Sequence, residues 1–185
     1  MPQGRPRIPA EIERAVFIEA GHRCAIPNCK QTEGLQVEHI DDYAEVRKHE
    51  FENLILLCAL CHIRKQKTSG PRKLDRTALR QYKANLGLLN GRYSDVERRV
   101  LVYFAMHPGE RRVPLPPSSG VLVMFLVREG YLREVEWYPP LRNGRLWGGR
   151  LEIETKIDDV YELTDEGADF VRRWVDAQSL PDAPE

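Results

Sequence analysis

Cys24, Cys29, Glu38, His39, Asn53, Cys58, Cys61 and His62 place most of the chemically competent side chains of this chain in one short stretch. The four thiols pair off with four and then two intervening residues, a spacing that lets a tight turn aim two thiolates at one tetrahedral metal ion. One structural Zn2+ on Cys24, Cys29, Cys58 and Cys61 is the expectation, and a complete set of four thiolates needs neither His22 nor His49. Those two histidines are expected at the surface, and His107, just before Pro108, at a helix end. The remaining group, Glu38, His39, Asn53 and His62, has the makeup of a reaction centre: a carboxylate, an amide and two imidazoles that titrate near neutrality.

The elements that must position these groups follow from the apolar pattern. Over 9–20, Pro9 suits a first turn, Glu11 and Glu13 favour a helix N-terminus, and Ile12, Val16, Phe17 and Ala20 form one stripe, with Gly21 as the stop. Pro27-Asn28 turns the chain between the first two cysteines. Residues 35–40 alternate as a strand, 53–57 supply a second apolar strand, 58–61 form a knuckle, and 60–67 fit a short helix with His62 in its opening turn and Arg64, Lys65 and Lys67 on its exposed side.

With 185 residues, 42% of them hydrophobic, the chain can bury one good core or two small ones. Its longest apolar runs, 54–61 and 121–127, are too short to span a bilayer. The N-terminal stretch lacks the apolar core of a secretion signal, so a reducing cytoplasm is expected, with the cysteines on metal and not in disulfides. The zero net charge conceals an asymmetry. Residues 1–92 carry 16 basic and 11 acidic side chains, net +5, and residues 93–185 carry 12 and 17, net −5. A polyanion would therefore be gripped by the half that holds the metal motifs.

The strings Gly21-His22-Arg23-Cys24-Ala25-Ile26-Pro27-Asn28-Cys29, Val37-Glu38-His39-Ile40, Phe51-Glu52-Asn53-Leu54 and Cys58-x-x-Cys61-His62-x-x-Lys65, in that order, resemble an HNH endonuclease of the ββα-metal type across residues 9–68. The resemblance implies a metal-dependent nuclease. His39 would be the general base that takes a proton from water, Glu38 and His62 would hold a divalent cation, Mg2+ or Mn2+, and Asn53 would hydrogen-bond across the hairpin and orient His39. It also implies DNA as the partner, gripped in part by Arg64, Lys65 and Lys67, and products with a 5′ phosphate and a 3′ hydroxyl. The family commonly has Asp or His where this chain has Glu38. Neighbours on a regular strand point to opposite faces, so the motif implies a distorted strand end at Glu38-His39.

Beyond the nuclease-like unit, Leu79, Tyr82, Leu86, Leu89, Tyr93, Val96, Val100 and Tyr103 recur at alternating spacings of three and four, a heptad seam. As one helix it would be about 37 Å long and could pair with a second copy, giving a homodimer. Gly87 and Asn90-Gly91 weaken such a helix, and Ser94-x-x-Glu97 reads as a capping box opening a new one, so two consecutive helices are the other reading.

Residues 94–106 and 118–129 read as helices on either side of a proline-rich connection, and 131–138 and 151–163 as strands around an Asn143-Gly144 turn. A closing helix from 164 to about 177 completes a pattern similar to a winged helix. Glu152, Glu154, Asp158, Asp159 and Glu162 along the second ribbon strand disfavour a wing on phosphates, although Arg142, Arg145 and Arg150 cluster at its tip; protein contact or dimerisation is the favoured role.

The expected fold class is α+β: a zinc-stapled ββα-metal nuclease domain over 1–74, a helical connector over 75–106, and a winged-helix-like domain over 107–185. The competing functional class is a non-catalytic, zinc-binding, winged-helix regulator that binds DNA without cutting it.

Overall fold

The computed structural model describes residues 6–67, 70, 73–136 and 159–182. Helix α1, Ala10–Glu19, begins after Pro9 with Glu11 and Glu13 in its first turn, and its buried residue Val16 faces the core. It ends in a Schellman turn: Gly21 sits at φ +61°, its N–H bonds to Ile18 O, and the His22 N–H reaches back to Phe17 O. That reversal delivers Cys24, buried, into the turn that Pro27-Asn28 completes.

Strands β1, Leu35–His39, and β2, Leu54–Cys58, pair antiparallel from Leu35↔Cys58 to His39↔Leu54. All five β2 residues are buried, as expected of a continuous apolar strand covered on both faces. The loop between them holds a one-turn helix α2, Tyr43–Val46, closed by Arg47 at φ +56°, and a 3-10 turn, Phe51–Asn53. Helix α3, Ala59–Gln66, follows β2 directly. The distortion expected at Glu38-His39 is absent: pairing runs unbroken through His39, and Ile40 N–H continues it by bonding Asn53 O at 2.8 Å.

Residues 79–103 do not form one helix. Helix α4, Arg76–Arg92, is capped by Asp75, whose carboxylate accepts the Ala78 N–H, and stops at Tyr93, whose backbone is extended. Helix α5, Asp95–Met106, starts with the capping box: Ser94 Oγ accepts the Glu97 N–H while the Glu97 carboxylate accepts the Ser94 N–H. Nor does the heptad seam point to another molecule. Leu79, Tyr82 and Leu86 enter a core with Val16, Ile26 and β2, and Leu89, Tyr93 and Val100 enter a second core with Phe104, Tyr161 and Phe170. The seam expected to carry a dimer is consumed by the chain's own interior.

The second core is roofed by an antiparallel sheet of β3, Arg112–Leu115, β4, Leu132–Val135, and β5, Asp159–Leu163, in the order β3-β5-β4. The stretch expected as one helix over 118–129 divides into a 3-10 turn, Ser119–Val123, and helix α6, Met124–Arg128. Helix α7, Asp165–Val175, is capped by Thr164 and packs so closely that a Cβ on Gly167 would lie 2.2 Å from Tyr131 O. The expected Asn143-Gly144 turn, the three tip arginines, and Glu152, Glu154 and Asp158 lie outside the described residues. Within them, Glu162 of central β5 is neutralised by Arg112 and Arg133 on the flanking strands. Among the described residues no helix is long and apolar enough to cross a membrane.

Candidate active site and metal centre

The two knuckles meet. The Schellman turn after α1 presents Cys24 and Cys29, the end of β2 presents Cys58, and the first turn of α3 presents Cys61, with all four Sγ atoms within 4.8 Å of one another. Tetrahedral zinc at about 2.3 Å from each sulfur requires S···S separations near 3.8 Å, and Cys29 Sγ and Cys58 Sγ are 3.6 Å apart. None of the four is in a disulfide. Hydrogen bonding from Cys61 pulls the Cys24 thiol down to about 5, whereas its bond to Cys24 and burial push Cys61 up and burial pushes Cys29 up. Thiols crowded in this way resist joint ionisation unless a cation sits among them, so the donor set fits zinc.

Arg64 donates to Cys61 Sγ at 3.7 Å and is half-buried, so the expected row of exposed cations on α3 is not what forms. Lys65 also turns inward, 15% exposed, with Nζ 3.6 Å from Glu38 Oε2 and 3.7 Å from Asp42 Oδ1. Lys67 is exposed.

The candidate catalytic residues fall into two groups joined by the Glu38-His39 peptide bond. In the first, β1 points Glu38 at α3, where Oε1 lies 2.9 Å from His62 Nδ1. The two atoms meet at contact distance, yet His62 Nδ1 is buried and makes no well-directed hydrogen bond. Two ligands on adjacent vertices of an octahedral cation with bonds of about 2.1 Å are themselves about 3 Å apart, so this oxygen and nitrogen have the spacing of a chelating pair. On the other side of the ring, the Gln66 amide is 2.8 Å from Nε2. The atom facing the ring is the amide nitrogen, which can only donate, so in this orientation Nε2 accepts and Nδ1 carries the proton toward Glu38; turning the amide so that its oxygen faces the ring would free the Nδ1 lone pair for a metal.

In the second group, His39 is 3% exposed. Its Nε2 lies 3.1 Å from His49 Nδ1, and its ring makes a T-shaped contact with Tyr43 at 5.6 Å between centroids. Asn53 sits opposite, and its side chain ties down the residue two places beyond His39: Oδ1 accepts the Asp41 N–H at 2.8 Å and Nδ2 donates to Asp41 O at 3.0 Å. The Asp41 carboxylate in turn receives Arg80, both oxygens at 2.6 Å from the same nitrogen.

Two participants were not visible in the sequence. His49, expected at the surface, is half-buried against His39, and Tyr43 stacks on it at 4.8 Å with the rings 22° apart. The only available signal was that a further histidine lies in the loop between the two strands.

Residues 22–68 match the family model for the HNH endonuclease, a family of nucleases that in general use divalent metals. No curated protein and no solved structure matches the chain.

Proposed function

We propose, from the HNH endonuclease domain at residues 22–68, that this chain is a metal-dependent endonuclease that hydrolyses DNA phosphodiester bonds. The observation that carries the reading is the 2.9 Å approach of Glu38 Oε1 to His62 Nδ1: the two atoms make an ion pair when the ring is protonated, and with the ring neutral they converge with the spacing of two ligands on one cation. Glu38 and His62 hold that cation, Mg2+ or Mn2+. When bound, it supplies charge neutralisation at the phosphoryl oxygens and the departing 3′ oxygen.

The protein's own residues do the rest. His39, immobilised by its neighbours, takes the proton of the attacking water. Asn53 clamps the backbone just past His39, so the ring holds its direction while charge develops on it. Cys24, Cys29, Cys58 and Cys61 hold zinc and fix the origin of α3, and with it His62. Lys65, against Glu38 and Asp42, is a cation at the mouth of the site that can pass to a DNA phosphate. Lys67 and Arg64 extend that surface.

The expected result is that purified protein nicks or linearises supercoiled plasmid with Mg2+ or Mn2+. His39→Ala, still folded and zinc-loaded, should fall by at least about 100-fold, the usual contribution of a general base. Equal cleavage by both proteins would refute the mechanism.

For residues 107–185, the sheet order β3-β5-β4 with α5 before it and α6 and α7 around it supports a winged-helix-like arrangement. The pairing of Glu162 with Arg112 and Arg133 supports protein contact as its role, since those arginines are engaged.

One observation favours a second reading. The Lys65 ammonium already stands 3.6 Å from Glu38, and a lysine held there permanently would replace the cation. The chain would then be a zinc-stabilised DNA-binding regulator. Retarded migration of DNA without cleavage under either cation would select it.

A further inference from the structure

We propose that His49 is the positioning residue of the base, and that the N-terminal segment, through the Pro6 carbonyl, completes the active site by fixing the tautomer of both rings. The positioning role rests on the nuclease reading; the tautomer order does not.

His49 Nε2 is 3.1 Å from Pro6 O, and a carbonyl oxygen can only accept, so Nε2 of His49 carries the proton. A neutral imidazole has one N–H, which leaves the lone pair of His49 on Nδ1. In neutral His49 that atom accepts, and His39 Nε2, 3.1 Å away, is then the donor. Neutral His39 therefore keeps its lone pair on Nδ1, and Nδ1 is the atom that accepts the proton from water.

When His39 becomes an imidazolium, its Nε2–H strengthens the bond to His49, whose Nδ1 faces the new charge without itself needing one. The arrangement uses a neutral ring where many hydrolases use a carboxylate behind their histidine.

The geometry around His49 suits this use. Tyr43 stacks on one face of the His49 ring and makes a T-shaped contact with His39, so three rings brace each other. The loop enters this cluster through the left-handed Arg47 and leaves it through the 3-10 turn that ends at Asn53. Asn53 and His49 thus act on His39 from the same loop, one by its backbone and one by its ring.

The test uses full-length, zinc-loaded protein labelled with 15N. Long-range proton–nitrogen correlations at a pH where both rings are neutral should show His39 and His49 each protonated at Nε2. His49→Ala, and separately deletion of residues 1–7, should return His39 to a mixture of tautomers. In plasmid cleavage with Mn2+, each change should lower kcat about 10- to 100-fold with KM within about twofold.

The two changes combined should lower kcat no further than the worse one alone, since they break one chain of bonds. His49→Asn, whose Oδ1 takes the place of the Nδ1 acceptor, should recover most of the loss. His39 protonated at Nδ1, or a tautomer unmoved by His49→Ala, would overturn the proposal, as would wild-type kcat in His49→Ala. If the tautomers respond as stated but neither wild-type protein nor any variant cleaves, the nuclease reading fails and the positioning role fails with it.

Discussion

Asn53 holds Asp41 by both ends of one residue's backbone, accepting its N–H at 2.8 Å and donating to its C=O at 3.0 Å. The loop that leaves β1 is thereby locked to the start of β2, immediately beyond His39. Asn53→Ala removes both bonds from a partly buried site and is expected to cost about 1–3 kcal/mol. Asn53→Asp keeps the acceptor but sets an anion against the Asp41 carbonyl, so it should cost at least as much. Urea unfolding at neutral pH measures both.

A core as small as the one around Val16, Ile26 and β2 supplies little stability of its own. Zinc at the four-cysteine centre, with an apparent binding energy of about 10 kcal/mol or more, would be its main support. Purified protein should contain one zinc per chain. Stripping it with a strong chelator, or introducing Cys61→Ser, should abolish amide-exchange protection in α1, β1 and β2 while α5 and α7 retain theirs. Full protection in zinc-free protein would remove the metal from the account of the fold.

Glu97 is 1% exposed and serves two helices at once. Its Oε2 accepts from Ser94 N and Ser94 Oγ at the start of α5, and its Oε1 accepts from the N–H groups of Phe125 and Leu126 at the start of α6. Glu97→Ala leaves those donors buried and unmatched, for an expected loss of about 3 kcal/mol or more. Glu97→Gln keeps an acceptor on one side only and should lose less. The urea midpoints should fall in that order.

The Arg80 guanidinium hydrogen-bonded to Asp41 holds its carboxyl below the usual carboxylate range. The native pKa lies below the unfolded one, so the native state binds fewer protons. The stabilisation is present above about pH 4 and is lost as pH falls through the lowered native value. Arg80 is 62% exposed, which limits the effect to about 1 kcal/mol or less. Arg80→Ala should therefore be slightly less stable than the parent at pH 6 and converge with it as the pH drops toward 2. A gap that persists in acid would assign the effect to packing.

Much of the nuclease-like unit was legible because its signals are local. The stripe of α1, the alternation of β1, the apolar run of β2 and the cysteine spacings each declare themselves within a few residues. What stayed hidden depends on partners distant in the chain. A seam at spacings of three and four says that a face is buried without saying by what, and here α7, β5 and α1 bury it. Strand β3 contains Pro114 and lay inside a connection read as a loop; it is tolerated because β3 is an edge strand. Lys65 looked like a surface cation until Glu38 and Asp42 closed on it, and His49 looked idle until folding carried Pro6 to its far side.

Helix α4 has a foot in each core, and its side chains also tie down the chain's end: Tyr82 donates to Val175 O and Asn85 to Gln178 O. A flexible tether would let the two units move independently; a helix shared by both cores does not. Because α4 contributes to both cores, the spacing between the HNH-like unit and the C-terminal sheet is set by the length of one helix, and inserting or deleting turns within it would change that spacing.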